Sequence, residues 1–444
     1  MNKTIAIAGG GASGVLLAHH LLHEFDDTRV VLYEPGELGT GAAYATTCRL
    51  HVLNVAAVRM SAFPDEPRHF VNWLDRRYPN AYAPTSFVPR LIYGEYLRSI
   101  ADALIERFGD RFRHERSRLT NVSEAAFADA VVLATGNAAP APWPGAPDSA
   151  RYVPSAWAPA ALVPERANEA VLILGSGLTA VDAILGLRAN GHRGHIYVVS
   201  RRGLLPNAHG AFEIPPEVPM PRGSLRAVFA SVRSQTRNDW RLGIDALRPW
   251  TNAIWRQLDA SDQRRFLRHA ADHWNAHRHR MAPEIADSIS KLRTSGVVEI
   301  VAGRTVAFDE TAGALSVGVR ELSTQRERVL NVQRAINCGG PEQRVDRIPN
   351  PLLRSLLADG LMRPSAAGRG IDTAEEGALI DVGGNASSRL FALGPIRFGT
   401  LLESIAMPEI RVQARDLARH LGERAGTGSH ELQGRLARHA EPTR

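Results

Sequence analysis

Two short segments of this 444-residue chain combine the residue types and the spacing that can hold the phosphates of a dinucleotide. In such a segment the first glycine permits a tight turn after a strand, and the second lets the backbone approach a pyrophosphate. The third small residue lets the following helix pack closely on the strand, with its N-terminus facing the anion. The residues predicted to contact dinucleotides are Gly9, Gly11, Ser13 and Gly14 in the first segment, and Gly175, Gly177 and Ala180 in the second.

The sequence around both segments supports this interpretation. Apolar, strand-like runs precede them at residues 4–8 and 170–174, and helix-like runs follow them. One such motif alone is weak, because glycines also occur in ordinary strand-to-helix turns, but two in the same context are strong. Two dinucleotide sites in one chain most simply indicate a flavin and a nicotinamide, between which hydride can pass.

The charge that follows the next strand differs between the two segments. Glu34 ends the first of these strands, and its carboxylate can accept hydrogen bonds from ribose hydroxyls. The second strand ends at Ser200, followed by Arg201 and Arg202. Two guanidinium groups suit a 2′-phosphate, which favours NADPH at the second site. A salt-bridged loop in a protein that uses NADH is the alternative interpretation of these arginines.

Charge and cysteine content exclude several classes of protein. The formal net charge is +7, and nearly all of the positive charge is arginine, because Lys3 and Lys291 are the only lysines. The arginines are scattered, so we expect attraction of anionic nucleotides and of an anionic substrate, and no nucleic-acid binding. Cys48 and Cys338 lie far apart and in no Cys-x-x-Cys pair, which argues against a disulfide reductase.

The N-terminal residues enter an apolar strand almost at once and lack the pattern of a signal peptide. No uncharged apolar run is long enough to span a bilayer. We therefore expect a cytoplasmic protein without a membrane partner. The oligomeric state stays open.

The elements needed to position both segments indicate an α/β fold with two Rossmann-like dinucleotide-binding units and a helical insertion. We expect a discontinuous first domain at residues 1–165 and 330–444, and a smaller second domain at 166–206 and 296–329. Residues 207–295 are then the insertion, since tryptophans occur there on helix-like, arginine-rich segments.

The insertion also holds a cluster of imidazole and guanidinium groups. His269, His273 and His277 have the spacing of one helical face and could hold a metal. Asp272 is the only carboxylate among them and the arginines would repel a cation, so we predict a solvated basic face without a metal, with Trp274 in the core. The candidates for contact with a substrate are Arg278, His279 and His209.

Further segments carry a family resemblance and span nearly the whole chain. They are Gly39-Thr40-Gly41 with Tyr44, residues 51–55 with Met60, Ala134-Thr135-Gly136, residues 200–206 and 337–341, and residues 393–395 with 403–404 and 408–411. With these segments the chain resembles the bacterial FAD/NAD(P)-binding proteins related to class B flavoprotein monooxygenases. That group includes an FAD-dependent urate hydroxylase.

The resemblance implies that the discontinuous domain binds FAD and that the smaller domain binds NAD(P)H. The additional residues that it places at FAD are Gly41, Asn54, Met60, Thr135, Gly136, Gly394 and Pro395. A helix N-terminus near Gly394 would stabilise the anionic reduced flavin. The implied reaction is reduction of FAD by NAD(P)H, addition of molecular oxygen, and transfer of one oxygen atom from a flavin hydroperoxide to a small polar substrate.

The substrate is the open part of this expectation. The resemblance makes hydroxylation of urate to 5-hydroxyisourate, a step of purine degradation, the sharpest hypothesis. The alternatives are N-hydroxylation of an amine of the ornithine or lysine type, and a flavin-binding redox sensor without turnover. Because such chemistry requires that water be kept from the flavin, we expect the insertion to act as a substrate lid, with Arg278 or a near neighbour facing the substrate.

Overall fold

The computed structural model describes residues 3–424, except residues 212, 214, 236, 238 and 312. Within this range the chain divides into two compact units. The first unit comprises the chain up to Thr46, Ala56–Ala138, and the chain from Gln343 onwards. The second unit comprises Thr47–Val55 and Ala139–Glu342.

The strands, in chain order, are β1 (Lys3–Ala8), β2 (Thr28–Tyr33), β3 (Phe112–Glu115), β4 (Ala130–Leu133), β5 (Tyr152–Val153), β6 (Val171–Leu174), β7 (Ile196–Ser200), β8 (Val298–Glu310), β9 (Leu315–Glu321), β10 (Glu327–Val332), β11 (Arg334–Asn337), β12 (Ala378–Ile380) and β13 (Ala386–Ala392). The helices are α1 (Ala12–Glu24), α2 (Gly41–Tyr44), α3 (His69–Arg77), α4 (Arg90–Phe108), α5 (Leu178–Ala189), α6 (Leu225–Gln235), α7 (Trp240–Leu247), α8 (Thr251–Gln257), α9 (Ala260–His269), α10 (Ala271–Arg278), α11 (Pro283–Thr294), α12 (Pro351–Ala358) and α13 (Met407–Glu423).

The first unit is built on a six-stranded sheet in the order β12-β13-β4-β1-β2-β3. All neighbouring strands are parallel except β12, which pairs antiparallel with β13. β1 and β4 are apolar runs with buried side chains on both faces, as expected for central strands of a parallel sheet. Helix α1 links β1 to β2 and buries most of its length against α4 and α13. The parallel strands and α1 form the Rossmann-like frame that positions the first glycine segment.

The second unit repeats this frame in a seven-stranded sheet with the order β10-β9-β8-β7-β6-β11-β5. β5, β11, β6, β7 and the first part of β8 are parallel. β8 then continues into an antiparallel meander with β9 and β10. Helix α5 follows β6, and helices α6–α11 lie between β7 and β8. The predicted fold class, with two Rossmann-like units and a helical insertion, is confirmed.

The unit boundaries differ from those expected at residues 165 and 330. They lie at 138/139 and 342/343, because β11 pairs with β6 in the second sheet and β5 pairs with β11 at its edge. A bridge between Pro140 and Pro341 brings the two boundary segments together within the second unit. The helices between 207 and 295 group with this same unit, so the three expected parts appear as two.

Residues 47–55 also group with the second unit, although they were expected in the first domain. The buried side chain of His51 anchors residues 47–55 to the second unit, since its Nε2–H donates to the carbonyl of Asp182 at 2.9 Å. His51 also packs edge-on against Trp157. Among the helices that the structure describes, none has the length and apolar character required to cross a membrane.

Candidate cofactor sites and substrate-binding residues

The first glycine segment forms a tight cradle between β1 and α1. Gly9 adopts φ +114°, a conformation that favours glycine, and a Cβ there would lie 2.3 Å from the carbonyl oxygen of Ala134. A Cβ at Gly14 would lie 2.0 Å from the carbonyl oxygen of Gly9. Gly11 is the N-cap of α1, and no described side chain caps this helix end. The backbone N–H groups in the first turn of α1 are therefore oriented to bind an anion.

A second glycine loop lies beside this helix N-terminus. Gly41 adopts φ +49°, and a Cβ added at Gly11 would lie 3.4 Å from the Gly41 Cα. The loop is held in place because the N–H of Gly39 donates to the carbonyl of Gly10 at 2.8 Å. Two glycines thus leave a side-chain-free space at the N-terminus of α1, which fits a dinucleotide pyrophosphate.

Glu34 is fixed at the edge of the same cradle. Its Oε2 accepts a hydrogen bond from the N–H of Gly10 at 3.0 Å, and its Oε1 accepts one from the N–H of Gly36 at 3.0 Å. Each carboxylate oxygen has further acceptor capacity. The carboxylate is therefore oriented before any ligand arrives and can accept hydrogen bonds from a ribose.

The structure also brings Ser13 and Gly394 together, which sequence spacing could not show. Gly394 adopts φ +79°, and a Cβ there would lie 2.7 Å from the Ser13 Oγ. The N–H of Gly394 donates to Oε1 of Gln413, a residue of α13, at 3.2 Å. Gly394 and Pro395 open a short 3₁₀ turn, Gly394–Gly399. Two elements far apart in the chain thus meet at the start of α1.

Of the remaining residues assigned to FAD, Met60, Thr135 and Gly136 belong to the first unit and Asn54 belongs to the second. Met60 is buried, and its carbonyl accepts a hydrogen bond from the Tyr93 hydroxyl at 2.9 Å. Thr135 and Gly136 follow β4, with Gly136 at φ +68°. Asn54 groups with the second unit and not with the first. Because Asn54 is only six residues from Met60 in sequence, the sequence did not indicate that the two residues belong to different units.

The second glycine segment reproduces the first cradle. Gly175 adopts φ +104°, and a Cβ there would lie 2.6 Å from the carbonyl oxygen of Cys338. Gly177 is the N-cap of α5, again without a side-chain cap among the described residues, and Ala180 is fully buried. Around Gly177 the space is open, because no described heavy atom outside its own turn would lie within 4 Å of an added Cβ. Burial raises the pKa of the Cys338 thiol, which keeps it protonated and unreactive.

The residues after β7 are engaged in hydrogen bonds within the second unit. The Ser176 hydroxyl donates to the carbonyl of Leu204 at 2.6 Å, and its Oγ lies within hydrogen-bond distance of Ser200 Oγ, at 2.8 Å. Arg201 and Arg202 both pair with Asp272 at the start of α10. The salt-bridged arrangement that the sequence left as an alternative is therefore present in the structure.

Two of the three candidates for substrate contact lie at the end of α10. Arg278 is buried, and His279 is the C-cap of this helix. Burial, together with the charges of Arg278 and Arg248, lowers the pKa of His279 to about 3. His279 is therefore neutral near pH 7. Its neutral ring can serve only as a hydrogen-bonding group.

His209, the third candidate, contacts residues 47–55, the segment that groups with the second unit. Its Nε2–H donates to the carbonyl of Asn54 at 3.0 Å, and its backbone N–H donates to the carbonyl of Met281 at 2.9 Å. The side chain therefore fixes the backbone at Asn54. This contact makes His209 a positioning residue within the second unit.

The basic face of the insertion borders a cavity. His269 and His273 are exposed as predicted, whereas Trp274 is only half-buried and lines a cavity of about 340 Å³ between α6, α7, α9 and α10. Trp240 and His277 line the same space. Across the described part of the chain, no group of three or more His, Cys, Asp or Glu residues is placed to hold a metal ion.

Comparisons with known proteins agree with these features. Residues 6–142 match a family model described as FAD-NAD(P)-binding, which confirms a dinucleotide-binding domain at the N-terminus. Uncharacterized proteins of Mycobacterium bovis and Mycobacterium tuberculosis are each 24% identical over 281 residues, covering 56% of this chain and 50% of the relative. The chain thus matches about half the length of these curated relatives.

Solved structures match over almost the whole chain. An ornithine N-hydroxylase of Kutzneria sp. 744, solved with reduced FAD, NADP⁺ and L-ornithine, has a TM-score of 0.64 at 11% identity, covering 95% of this chain and 99% of that one. L-lysine 6-monooxygenase of Pseudomonas syringae has a TM-score of 0.63 at 15% identity, covering 96% of this chain and 100% of that one. At these identities the comparison establishes a shared fold with two dinucleotide-binding domains.

Proposed function

We propose that this protein is an NAD(P)H-dependent FAD monooxygenase that N-hydroxylates a primary amine of a small molecule. One observation carries the proposal: the chain holds two glycine cradles of the same backbone geometry, one beside a carboxylate and one beside two guanidinium groups. A single oxidoreductase that passes electrons from a nicotinamide to a flavin needs both.

The first cradle is suited to FAD. The N–H groups at the start of α1 would bind the pyrophosphate, and the oriented Glu34 carboxylate would accept hydrogen bonds from the adenosine ribose. Gly394, which opens the Gly394–Gly399 turn, lies beside Ser13 at the start of α1. Bound there, FAD would supply two-electron chemistry with the nicotinamide and with molecular oxygen.

The second cradle is suited to an exchangeable nicotinamide dinucleotide. The N-terminus of α5 would bind its pyrophosphate, and the open space around Gly177 leaves the backbone accessible. Arg201 lies after β7, where an adenosine 2′-phosphate is bound in proteins of this fold. The second cradle therefore provides the electron donor.

The choice of an amine as substrate rests on the comparisons. Matching structures of the same fold are named for ornithine and lysine hydroxylation. The earlier preference for urate thus has less support than its amine alternative. Arg278 is proposed to bind an anionic group of the substrate, such as the carboxylate of an amino acid.

A substrate screen tests this proposal. The FAD-loaded protein is incubated with NADPH or NADH in air, with L-ornithine, L-lysine, cadaverine or urate, and both nicotinamide oxidation and product are followed. We expect a hydroxylamine product from a primary amine. Formation of 5-hydroxyisourate would restore the urate hypothesis, and a flavin-containing protein that converts none of these compounds would favour the redox sensor.

A further inference from the structure

We propose that Asp272 sets the nicotinamide preference of the second cradle by competing with the 2′-phosphate of NADPH for Arg201. The inference rests on the proposed function, because it requires a nicotinamide dinucleotide in this cradle. It adds a residue that lies 71 positions away in sequence from the arginine it controls. As a result, the two arginines after β7 give less selectivity for NADPH than their charge alone predicts.

The geometry of the pair shows the competition. One guanidinium nitrogen of Arg201, Nη2, donates to both carboxylate oxygens of Asp272 at 3.0 Å. Arg202 Nε donates to the same carboxylate at 3.2 Å. A single carboxylate thus neutralises one of the two positive charges at this position. A 2′-phosphate that approached Arg201 would meet the negative charge of Asp272 on the same guanidinium.

Arg202 is held by protein partners at each of its three guanidinium nitrogens. Its Nη2 donates to the carbonyl of His269 at 3.0 Å, and its Nη1 donates to His273 Nε2 at 3.1 Å. Together with the bond to Asp272, all three of its nitrogens have protein partners. Ser200 is engaged as well, since its Oγ accepts from the N–H of Gly203 at 3.1 Å and contacts Ser176. Arg201, whose side chain is 55% exposed, is the group left to receive a 2′-phosphate.

Asp272 lies in the first turn of α10, so the insertion places a carboxylate beside the residues that follow β7. NADPH must displace or face this charge, whereas NADH carries a 2′-hydroxyl that is compatible with a carboxylate. Asp272 is thus the acidic group that the end of β7 itself lacks, supplied from the helical insertion.

The test compares NADPH and NADH in full-length, FAD-loaded protein. We expect Asp272→Asn to lower the KM for NADPH by about tenfold, the factor that one charge-assisted contact commonly provides, and to change the KM for NADH by less than about twofold. Glu284→Gln is the matched control, because it removes an exposed carboxylate from the first turn of α11. It should leave the ratio of the two KM values unchanged.

A double variant identifies the partner through which Asp272 acts. In Arg201→Ala/Asp272→Asn the gain for NADPH should disappear, because the guanidinium that was released is absent. If Asp272→Asn shifts both nucleotides equally or neither of them, the ion pair only anchors α10 and the inference is wrong. If neither nucleotide binds the wild-type protein, the proposed function fails first, and the inference fails with it.

A measurement on the wild type does not depend on the folding of any variant. Because the 2′-phosphate draws Arg201 away from Asp272, saturating NADPH should increase amide hydrogen exchange in α10 relative to saturating NADH. Equal exchange in the two complexes would contradict competition at Arg201.

Discussion

The two glycine cradles share a backbone but differ in what surrounds it. The N-cap residues Gly11 and Gly177 have φ and ψ angles of −70° and −170°, and of −78° and −169°. Gly9 and Gly175 each back onto a carbonyl of the strand end beside them, Ala134 in one unit and Cys338 in the other. Beyond this shared frame, a second glycine loop lies against Gly11, whereas the space around Gly177 is open.

This difference bears on how each nucleotide is held. The first cradle is lined by Gly41, by the turn at Gly394 and by an oriented carboxylate, all within one unit. Such enclosure suits a cofactor that stays bound through many turnovers. The second cradle carries an ion pair at its edge and open space at its centre, which suits a nucleotide that binds and leaves in each cycle. Equal glycine spacing therefore specifies an equal turn but not an equal binding site.

The largest expected effect is the loss of FAD in Gly11→Val. The new side chain would occupy the space that two glycines keep free, and its Cβ alone would lie 3.4 Å from the Gly41 Cα. We expect almost no flavin in the purified variant, measured as the ratio of flavin to protein absorbance. Gly109→Ala, at the exposed C-cap of α4 and outside the cradle, is the control and should retain FAD. A fully yellow Gly11→Val protein would remove the basis for placing FAD in the first unit.

Gly177→Val should have the complementary effect. The added side chain finds open space in the protein, so the variant should fold and keep its flavin. It should block the approach of a pyrophosphate, and we expect flavin reduction by NADPH to slow by about a hundredfold or more, a loss of roughly 3 kcal/mol. Reduction by dithionite, which needs no nucleotide site, is the control. Loss of flavin in this variant would reverse the assignment of the two cradles.

A third variant, Arg278→Ala, should leave both cradles intact. Flavin content and its reduction by NADPH should stay near normal, because Arg278 lies at the end of α10 and in neither cradle. We expect product formation to fall about tenfold, the size of one lost charge-assisted contact, and hydrogen peroxide release to rise. Arg268→Ala, which removes an exposed arginine from α9, is the matched control. Unchanged product and peroxide would make Arg278 a structural residue only.

Arg201→Ala probes the nucleotide preference of the second cradle. Loss of a guanidinium contact with a phosphate costs roughly 1.5–3 kcal/mol, which is a factor of about 10 to 100 in binding. Because Asp272 already shares this guanidinium, we expect the lower end of that range for the KM of NADPH and little change for NADH. The ratio of the two steady-state KM values measures the effect. Equal changes would indicate that the pair with Asp272 is purely structural.

The part of the molecule that sequence could predict is the part that local backbone geometry determines. Positive φ at Gly9 and Gly175 follows from a tight strand-to-helix turn, and a motif of six residues contains that requirement. The helical character of the insertion could likewise be predicted, because its apolar side chains recur with a helical period. These features need no knowledge of distant partners.

What could not be predicted depends on contacts between distant segments. Both unit boundaries shift because β11 pairs with β6 and β5 pairs with β11, and neither short strand has a distinguishing pattern. The bond of His51 to Asp182 spans 131 residues, and Ser13 and Gly394, which meet at the start of α1, are still further apart in sequence. Asp272 was visible as a carboxylate among basic residues, but only the fold shows which arginines it pairs with.

The smallest expected effect concerns acid stability, and it again compares the two units. Burial lowers the pKa of His279 in the second unit to about 3, and burial together with neighbouring histidines lowers that of His19 in the first unit to about 2. Both rings are neutral in the folded protein and take up a proton on unfolding below about pH 6.5. The unfolded state therefore binds more protons, and stability falls as the pH drops from about 6.5 towards these values.

For one such group the loss is at most about 1.4 kcal/mol for each pH unit. We expect the unfolding free energy of His279→Asn, measured by urea denaturation between about pH 6.5 and 5, to fall less steeply with acidification than that of the wild type. The slope is the informative quantity, because the substitution also changes the absolute stability through lost packing at the end of α10. Asn275→Ala, at an exposed position of α10 without a titratable side chain, is the control and should leave the slope as it is. His19→Asn should flatten the slope of the first unit in the same way, where the two units unfold in separate transitions. If His279→Asn keeps the full wild-type slope, His279 is solvated in the folded state, and a cationic role for it towards an acidic substrate would be open again.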